Sequence, residues 1–234
     1  MKQVTVEVWS DFVCPWCWIA KRRFEKAVQA LEGQLNVVVI PKAYRLAKGM
    51  PPTDFKTVAH RKFGNAEAAE QLMEAIRTNG DAENLKYEFD TMRFGDTSDA
   101  HALVKSIQSP VDSLRMIERI YRAGTTEGID IFDRAALLSL AREIGISVSS
   151  VDFDSPRIAA EIAREELQAN RIAHGVPLFV FNGKAHVSGA RSPAAFESAL
   201  LEAAAHVDEF AAAEAGASCS IDGCSIEPLA TQER

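Results

Sequence analysis

The stretch SDFVCPWCWIAKRRFEKAV, residues 10–28, decides the reading of this chain. Cys14 and Cys17 stand three positions apart with only Pro15 and Trp16 between them. Upstream, Val4, Val6 and Val8 alternate with Thr5 and Glu7, the period of a strand over 3–9. Downstream, Cys17, Ala20, Phe24, Ala27, Val28 and Leu31 recur at helical spacing, with Gly33 placed as a C-cap. The pattern predicts a helix from about Cys14 to Leu31, so the cysteine pair opens it. Pro15 costs little there, because a first-turn N–H has no helical partner to lose.

A helix start carries unpaired N–H groups and the positive end of the helix dipole, and both favour a negative charge. A thiolate is such a charge, which makes Cys14 the expected nucleophile. Cys17 falls one turn later on the apolar stripe, where it is expected to be buried. A buried thiol within reach resolves a mixed disulfide formed at the first. The same C-x-x-C spacing also supplies half of a tetrahedral zinc site, with Cys219 and Cys224 as the other half. Bulky residues inside the first pair and its place between strand and helix favour redox chemistry over a metal, and over a pair of no chemical consequence.

Working outward, LNVVVI at 35–40 reads as a buried strand, which completes a βαβ unit with a parallel pair and a right-handed crossover. From about 54 to 174 the chain is rich in Ala, Glu, Arg and Leu, with helix signals at Ser109-Pro110, Asp133, Gly145, Ser155-Pro156 and Gly175. About five helices are expected. VPLFVFNGKAHVSG at 176–189 then reads as two short strands turning at Asn182-Gly183. Ser192-Pro193 opens a last helix over 193–207 with Phe196, Leu200, Leu201 and Ala204 on its apolar face. Beyond Asp208 a mobile tail carrying Cys219 and Cys224 is expected. Neither β-containing end buries its strands alone, so the two must share one sheet. The fold class is α/β, a thioredoxin fold interrupted by a helical insertion. Its parts are residues 1–50 with 175–210, the insertion 51–174 and the tail 211–234.

Pro177 stands between Val176 and the strand LFVF, where proline cannot join a central ladder through its nitrogen. A cis Val176–Pro177 peptide beside Cys14 fits that place. The Val176 backbone would then be free to pair with an extended substrate.

The 234 residues are 47% apolar and 25% charged, an ordinary globular composition. A net charge of −7 gives no electrostatic support for nucleic-acid binding. No apolar run approaches the ~20 residues that span a bilayer, and the first residues form a strand pattern rather than a leader, so a cytoplasmic protein is expected. Four cysteines in two close pairs, in a reducing compartment, point to catalysis, redox sensing or metal binding more than to structural bridges.

Four segments in order carry a resemblance: SDFVCPWCWIAKRRFEKA at the start, GDTSDAHALV at 95–104, EGIDIFDRAALLSLAREIGI at 127–146, and GVPLFVFNGKAHVSGARSPAAF at 175–196. Over residues 3–207 the chain resembles the DsbA-like thioredoxin family, closest to its FrnE-type subgroup. The resemblance implies a protein disulfide oxidoreductase or isomerase. A reducing cytosolic poise makes a reductase, isomerase or oxidative-stress role more natural than disulfide installation. It implies a nucleophilic Cys14, a resolving Cys17 and a cis-proline loop at Val176-Pro177, with Pro15 and Trp16 on the substrate surface and Trp18 in packing. It places Thr97 and His101 facing the site. By pattern alone Thr97 or Ser98 caps a helix whose first turns carry His101, and His174 serves a helix end. Some FrnE-type proteins have a C-terminal C-x4-C pair, which Cys219 and Cys224 resemble, and such a pair can exchange with the first.

The related kappa-class glutathione transferases and 2-hydroxychromene-2-carboxylate isomerases typically carry serine where Cys14 stands. A glutathione-dependent transferase or isomerase is therefore the alternative enzyme reading, and a redox-sensing chaperone or binding module the alternative outside enzymes. The expected partners are protein or small-molecule thiols and disulfides, with no nucleic acid, no membrane and no set oligomeric state. No metal or organic cofactor is required, and glutathione enters only as a thiol substrate.

Overall fold

The alternation at Val4, Val6 and Val8 becomes β1 (Lys2–Ser10), the strand on which the rest is assembled. The structure, a computed structural model, describes the backbone of residues 1–215, 217–220 and 223–226 and the side chains of residues 1–206. Strand β1 pairs in parallel with β2 (Leu35–Ala43), in the register Val4↔Val37 and Val6↔Val39. On its other side it pairs antiparallel with β5 (Leu178–Phe181), in the register Val6↔Phe181 and Val8↔Phe179. Strand β6 (Ala185–Ser188) follows β5 through a tight turn, giving the order β2-β1-β5-β6. Both ends of the chain thus meet in one sheet. At the β5–β6 turn Asn182 has φ 49° and Gly183 φ 69°, the pair of left-handed conformations such a turn requires. The Asn182 side chain accepts from Thr5 N at 2.9 Å and donates to Ala203 O at 3.1 Å, tying the turn to β1 and the last helix.

Helices α1 (Pro15–Ala30) and α8 (Pro193–Ala215) cover one face of the sheet. Between them and the strands lie Phe24, Phe179, Phe181 and Phe196, all buried. On the other face Trp9, Leu178 and Val180 pack on Ala169 of α7 (Pro156–Ile172). All four residues of β5 are therefore buried. The expectation of a wholly buried strand at 35–40 is corrected. Strand β2 is an edge strand with Val37 and Val39 turned to the core, while Val38 and Ile40 are each 38% exposed. A continuous β-branched run fits either setting, because periodicity does not say whether a sheet face is covered.

The chain between β2 and β5 holds six helices rather than about five: α2 (Phe55–Phe63), α3 (Ala66–Asp81), α4 (Ser98–Ser106), α5 (Pro110–Thr125), α6 (Arg134–Glu143) and α7. The extra element comes from the break between α2 and α3. There Gly64 adopts φ 75° and the Asn65 side chain accepts from Ala68 N at 2.7 Å. The two-residue strands β3 (Thr53–Asp54) and β4 (Arg93–Phe94) form a small ribbon beside it. Ser109 and Asp133 cap α5 and α6 as their spacing predicts, accepting from Asp112 N and Ala136 N. Met73, Ile76, Leu103, Met116, Ile120 and Leu137 are the fully buried centre of this block.

Helix α8 continues past Asp208, and β7 (Ala217–Ser220) and β8 (Gly223–Ile226) pair antiparallel with Cys219 opposite Cys224. The rest of the expected tail, residues 216, 221–222 and 227–234, and the side chains of Cys219 and Cys224 lie outside the described residues. Among the described residues no helix is long and apolar enough to cross a membrane.

Candidate active site at the start of the first helix

Cys14 is the N-cap of α1, with extended backbone (φ −94°, ψ 105°), and Pro15 is the first helical residue. The Cys14 side chain makes no capping hydrogen bond, so its sulfur stands at the start of α1, where the helix dipole is positive. Cys14 is 6% exposed and Cys17 2%, and both are free thiols. The backbone that places them is a short turn, with Cys14 N donating to Asp11 O at 3.1 Å and Cys17 N to Cys14 O at 3.0 Å. Burial pushes the Cys17 thiol well above its usual range, and a hydrogen bond and charge contact with Cys14 push it further. The Val176–Pro177 peptide is cis. Cys14 Sγ lies 3.9 Å from the Val176 carbonyl oxygen, within reach of a weak S–H···O bond. The four residues expected at the centre of the site, Cys14, Cys17, Val176 and Pro177, are thus at one place. Pro15 is buried there and Trp16 is half-buried against the helical block.

The helical block closes the site from the other side. Tyr87 OH donates to Pro15 O at 2.8 Å, and Tyr121 OH donates to Asp11 O at 3.2 Å. Burial raises both phenols, which keeps them protonated and able to donate. Trp18 stacks on Tyr121 with 6.0 Å between centroids and 6° between planes, and its indole N–H reaches the Glu118 carboxylate at 3.1 Å. A cavity of about 480 Å³ lies between β2, α1 and α5. Val37, Val39, Phe24 and Leu114 line it, with Cys17 and Pro177 in its wall.

His101 is not presented as an acid or base. Its ring leans on Phe12 at 4.7 Å and its Nε2 contacts Tyr44 O at 3.2 Å, so Nε2 carries the proton in that bond. Burial pushes its pKa down to about 3, which leaves the ring neutral in ordinary conditions. Thr97 is the N-cap of α4 but does not cap with its side chain. Its hydroxyl donates instead to Asp11 Oδ1 at 2.7 Å, while Asp96 Oδ1 accepts from Ser98 N at 2.9 Å. Sequence reasoning missed Asp11, Tyr87 and Tyr121. A charged residue inside SDFVC, at a junction that must be buried, is the signal that marks Asp11. Nothing local marks the tyrosines. Among the described residues no group of three or more His, Cys, Asp or Glu is arranged to hold a metal ion.

A family model described as DSBA-like thioredoxin domain matches residues 5–201. No curated protein matches the chain. Among solved structures, a "probable DsbA oxidoreductase" from Streptomyces coelicolor is similar over 96% of this chain and 100% of that one, with 26% identity and TM-score 0.77. A 2-hydroxychromene-2-carboxylate isomerase is similar over 88% of this chain and 98% of that one, with 13% identity and TM-score 0.63. The cytosolic disulfide reductase DsbM from Pseudomonas aeruginosa, solved with GSH, is similar over 89% and 99%, with 18% identity and TM-score 0.56. The last two likenesses show a shared fold. With the family model covering most of its length and an unlinked cysteine pair at the start of α1, the chain belongs to the DsbA-like thioredoxin domain family.

Proposed function

We propose that the protein is a thiol–disulfide oxidoreductase of protein or small-molecule substrates, with Cys14 as nucleophile and Cys17 as resolving thiol. The observation that carries the reading is a free dithiol on the first turn of a helix, its outer sulfur against the Val176 carbonyl of a cis-proline loop. The Cys14 thiolate attacks one sulfur of a substrate disulfide, and the other substrate sulfur leaves and takes a proton. Cys17 then loses its proton and attacks Cys14 Sγ. The mixed disulfide breaks, the second substrate thiol is released, and two electrons have passed from the dithiol to the substrate. Run backwards, the same steps oxidise a substrate dithiol. Cys14 stands at the positive end of the α1 dipole, and burial keeps Cys17 a thiol until the mixed disulfide forms.

Pro15, Trp16, Val176 and Pro177 form the surface that an extended substrate meets, with the Val176 backbone as its strand partner. A cytoplasmic setting suits this reading, with a small thiol such as glutathione regenerating the reduced pair. Cys219 and Cys224 act in it as a second dithiol that exchanges with the first. Retention of both Cys14 and Cys17 favours exchange over a glutathione-dependent transferase, which needs only one such position.

The test is a redox titration in glutathione and dithiothreitol buffers, with alkylation and mass read-out for each cysteine pair. Reversible formation of a Cys14–Cys17 disulfide, and loss of disulfide reductase activity in Cys14→Ser, are expected. A parent protein that only binds glutathione at Cys14 and never closes the disulfide overturns the reading. The Cys219→Ser/Cys224→Ser variant is expected to move the midpoint or the rate, and an unchanged titration removes the second pair from the exchange.

A further inference from the structure

Two tyrosines of the inserted block donate to the dithiol turn, and the scheme above uses neither. Tyr87 reaches the middle of it: its hydroxyl donates to Pro15 O at 2.8 Å, between the two cysteines. The ring is buried, with Trp18 edge-on at 5.8 Å between centroids and Phe89 stacked at 6.0 Å. Gly80 on α3 makes room for that ring. A Cβ at Gly80 would lie 2.6 Å from Tyr87 Cε2 and 2.9 Å from Cδ2. Glycine weakens a helix, and the close approach of the ring is a physical reason for one at this place.

The backbone on both sides of Tyr87 is pinned as well. Leu85 N donates to Gly80 O at 2.9 Å, Glu88 N to Thr125 O at 2.8 Å, and the Thr126 hydroxyl to Lys86 O at 2.6 Å. The ends of α3 and α5 thus fix the point from which the phenol reaches α1. Burial raises the Tyr87 phenol, and negative charge at Cys14 or Cys17 raises it further, so the hydroxyl stays a donor when a thiolate forms. Tyr121 acts ahead of the pair instead. It donates to Asp11 O, which already accepts the Cys14 N–H.

Pro15 O and the Trp16 N–H belong to one planar peptide, so a bond that holds the oxygen also aims the N–H. Trp16 is the second residue of α1, and the N–H at that position is one of those that serve a charged side chain at the N-cap, here Cys14. A hydrogen bond to the oxygen also polarises the peptide and strengthens its N–H as a donor. Cys14 can carry charge only while the pair is reduced. We propose that Tyr87 is a positioning residue for the exchange: its hydroxyl holds the Pro15–Trp16 peptide between the cysteines, and through that peptide the inserted block favours the dithiol form. The proposal rests on the exchange reading. Removing the phenol oxygen leaves no orphan acceptor, because a carbonyl has two lone pairs and the helix supplies a donor to Pro15 O. What is lost is the aim of the peptide.

The test is the equilibrium of the Cys14–Cys17 pair with glutathione. One glutathione disulfide takes two electrons and two protons from the dithiol and leaves as two thiols. Alkylation and mass read the ratio of the two forms in the parent, Tyr87→Phe, Gly80→Ala and the variant carrying both. Tyr87→Phe keeps the ring and loses one oxygen, and is expected to shift the equilibrium toward the disulfide about three- to tenfold. Gly80→Ala keeps the hydroxyl but displaces the ring that carries it, and is expected to shift the equilibrium the same way. The double variant is expected to shift no further than Tyr87→Phe, because no hydroxyl remains to be misplaced. A residue that only fills space would lower the melting temperature of the variants and leave the equilibrium where the parent has it, and that result overturns the proposal. If Gly80→Ala does not fold, Tyr87→Phe decides alone. A parent that never closes the Cys14–Cys17 disulfide defeats the exchange reading and this proposal with it. A parent that closes the disulfide, with Tyr87→Phe at the same equilibrium, defeats the proposal alone.

Discussion

The aromatic layer beneath the sheet and the seam beneath the dithiol are held in different ways. Under the sheet, Phe24 meets Phe179 at 5.2 Å and Phe196 at 5.6 Å between ring centroids, and Phe179 meets Phe196 at 4.6 Å. That layer is held by burial, which has no direction and scales with area. At the seam between β1, α1 and the helical block, the buried polar side chains Asp11, Thr97 and His101 each have a named partner. Hydrogen bonds of this kind add little net stability but cost much when one member is removed. The layer therefore supplies stability, and the seam supplies a defined geometry next to two reactive thiols. Only the seam has groups that answer to pH.

Phe196→Ala tests the separation with the largest expected effect. Phe196 is 0% exposed and packs against two other rings, so its removal is expected to destabilise the fold by about 3–5 kcal/mol. Urea unfolding measures that loss. The redox titration of the surviving folded protein is expected to match the parent. A titration that moves with the stability shows that layer and seam form one unit, and breaks the comparison.

The seam carries two groups whose pH effects oppose each other. Asp11 is raised to about 7 by burial, so its contribution is present at low pH and is lost as pH rises through that value. His101 is lowered to about 3 by burial, so the unfolded chain takes up a proton below about 6.5 while the fold does not. Its contribution is present above that pH and is lost on acidification. Between pH 6.5 and 5 each effect is worth about 2 kcal/mol, with opposite sign. The parent is expected to change little over that range on account of this pair. His101→Gln is expected to gain stability relative to itself on acidification, and Asp11→Asn to lose it. Denaturant midpoints at the two pH values read both. Parallel behaviour of the two variants would show that another group controls the seam.

How far each region was legible in the sequence follows the same division. The strand alternation at Val4–Val8, the helical stripe from Cys17 to Leu31 and the Asn182-Gly183 turn are local signals, and each reappears as β1, α1 and the β5–β6 turn. A local signal also placed Cys14 at the helix start, whereas the Val176-Pro177 loop beside it, 162 positions away, was expected only from the fold that the two β-containing ends must share. They did not show that β2 is an edge strand, because the coverage of a sheet face depends on elements far along the chain. The seam was hidden for the same reason. Thr97 meets Asp11 across 86 positions, and Tyr87 meets the Pro15 carbonyl across 72. Thr97 looked like a helix cap because its neighbours fit one, yet its hydroxyl is taken by a carboxylate that no nearby residue announces.

The smallest expected effect sharpens the account of what the seam's polar groups do. Glu118 on α5 accepts the Trp18 indole N–H at 3.1 Å and the Lys21 ammonium at 2.8 Å, and also binds the Arg22 guanidinium. Its side chain is 26% exposed, while Trp18 is only 3% exposed. If the charges hold α1 to α5, removing the carboxylate charge should matter most. If satisfying the buried indole matters more, the amide should serve nearly as well, because its oxygen still accepts. Partly exposed ion pairs contribute at most about 1 kcal/mol and weaken with salt. Glu118→Gln is therefore expected to cost less than about 1 kcal/mol, with the difference fading in added salt. Glu118→Ala strands the Trp18 N–H and is expected to cost about 1–3 kcal/mol, with little salt dependence and a shift in tryptophan emission. Equal losses in the two variants, both removed by salt, would assign the contact to charge and place this edge of the seam with ordinary surface ion pairs.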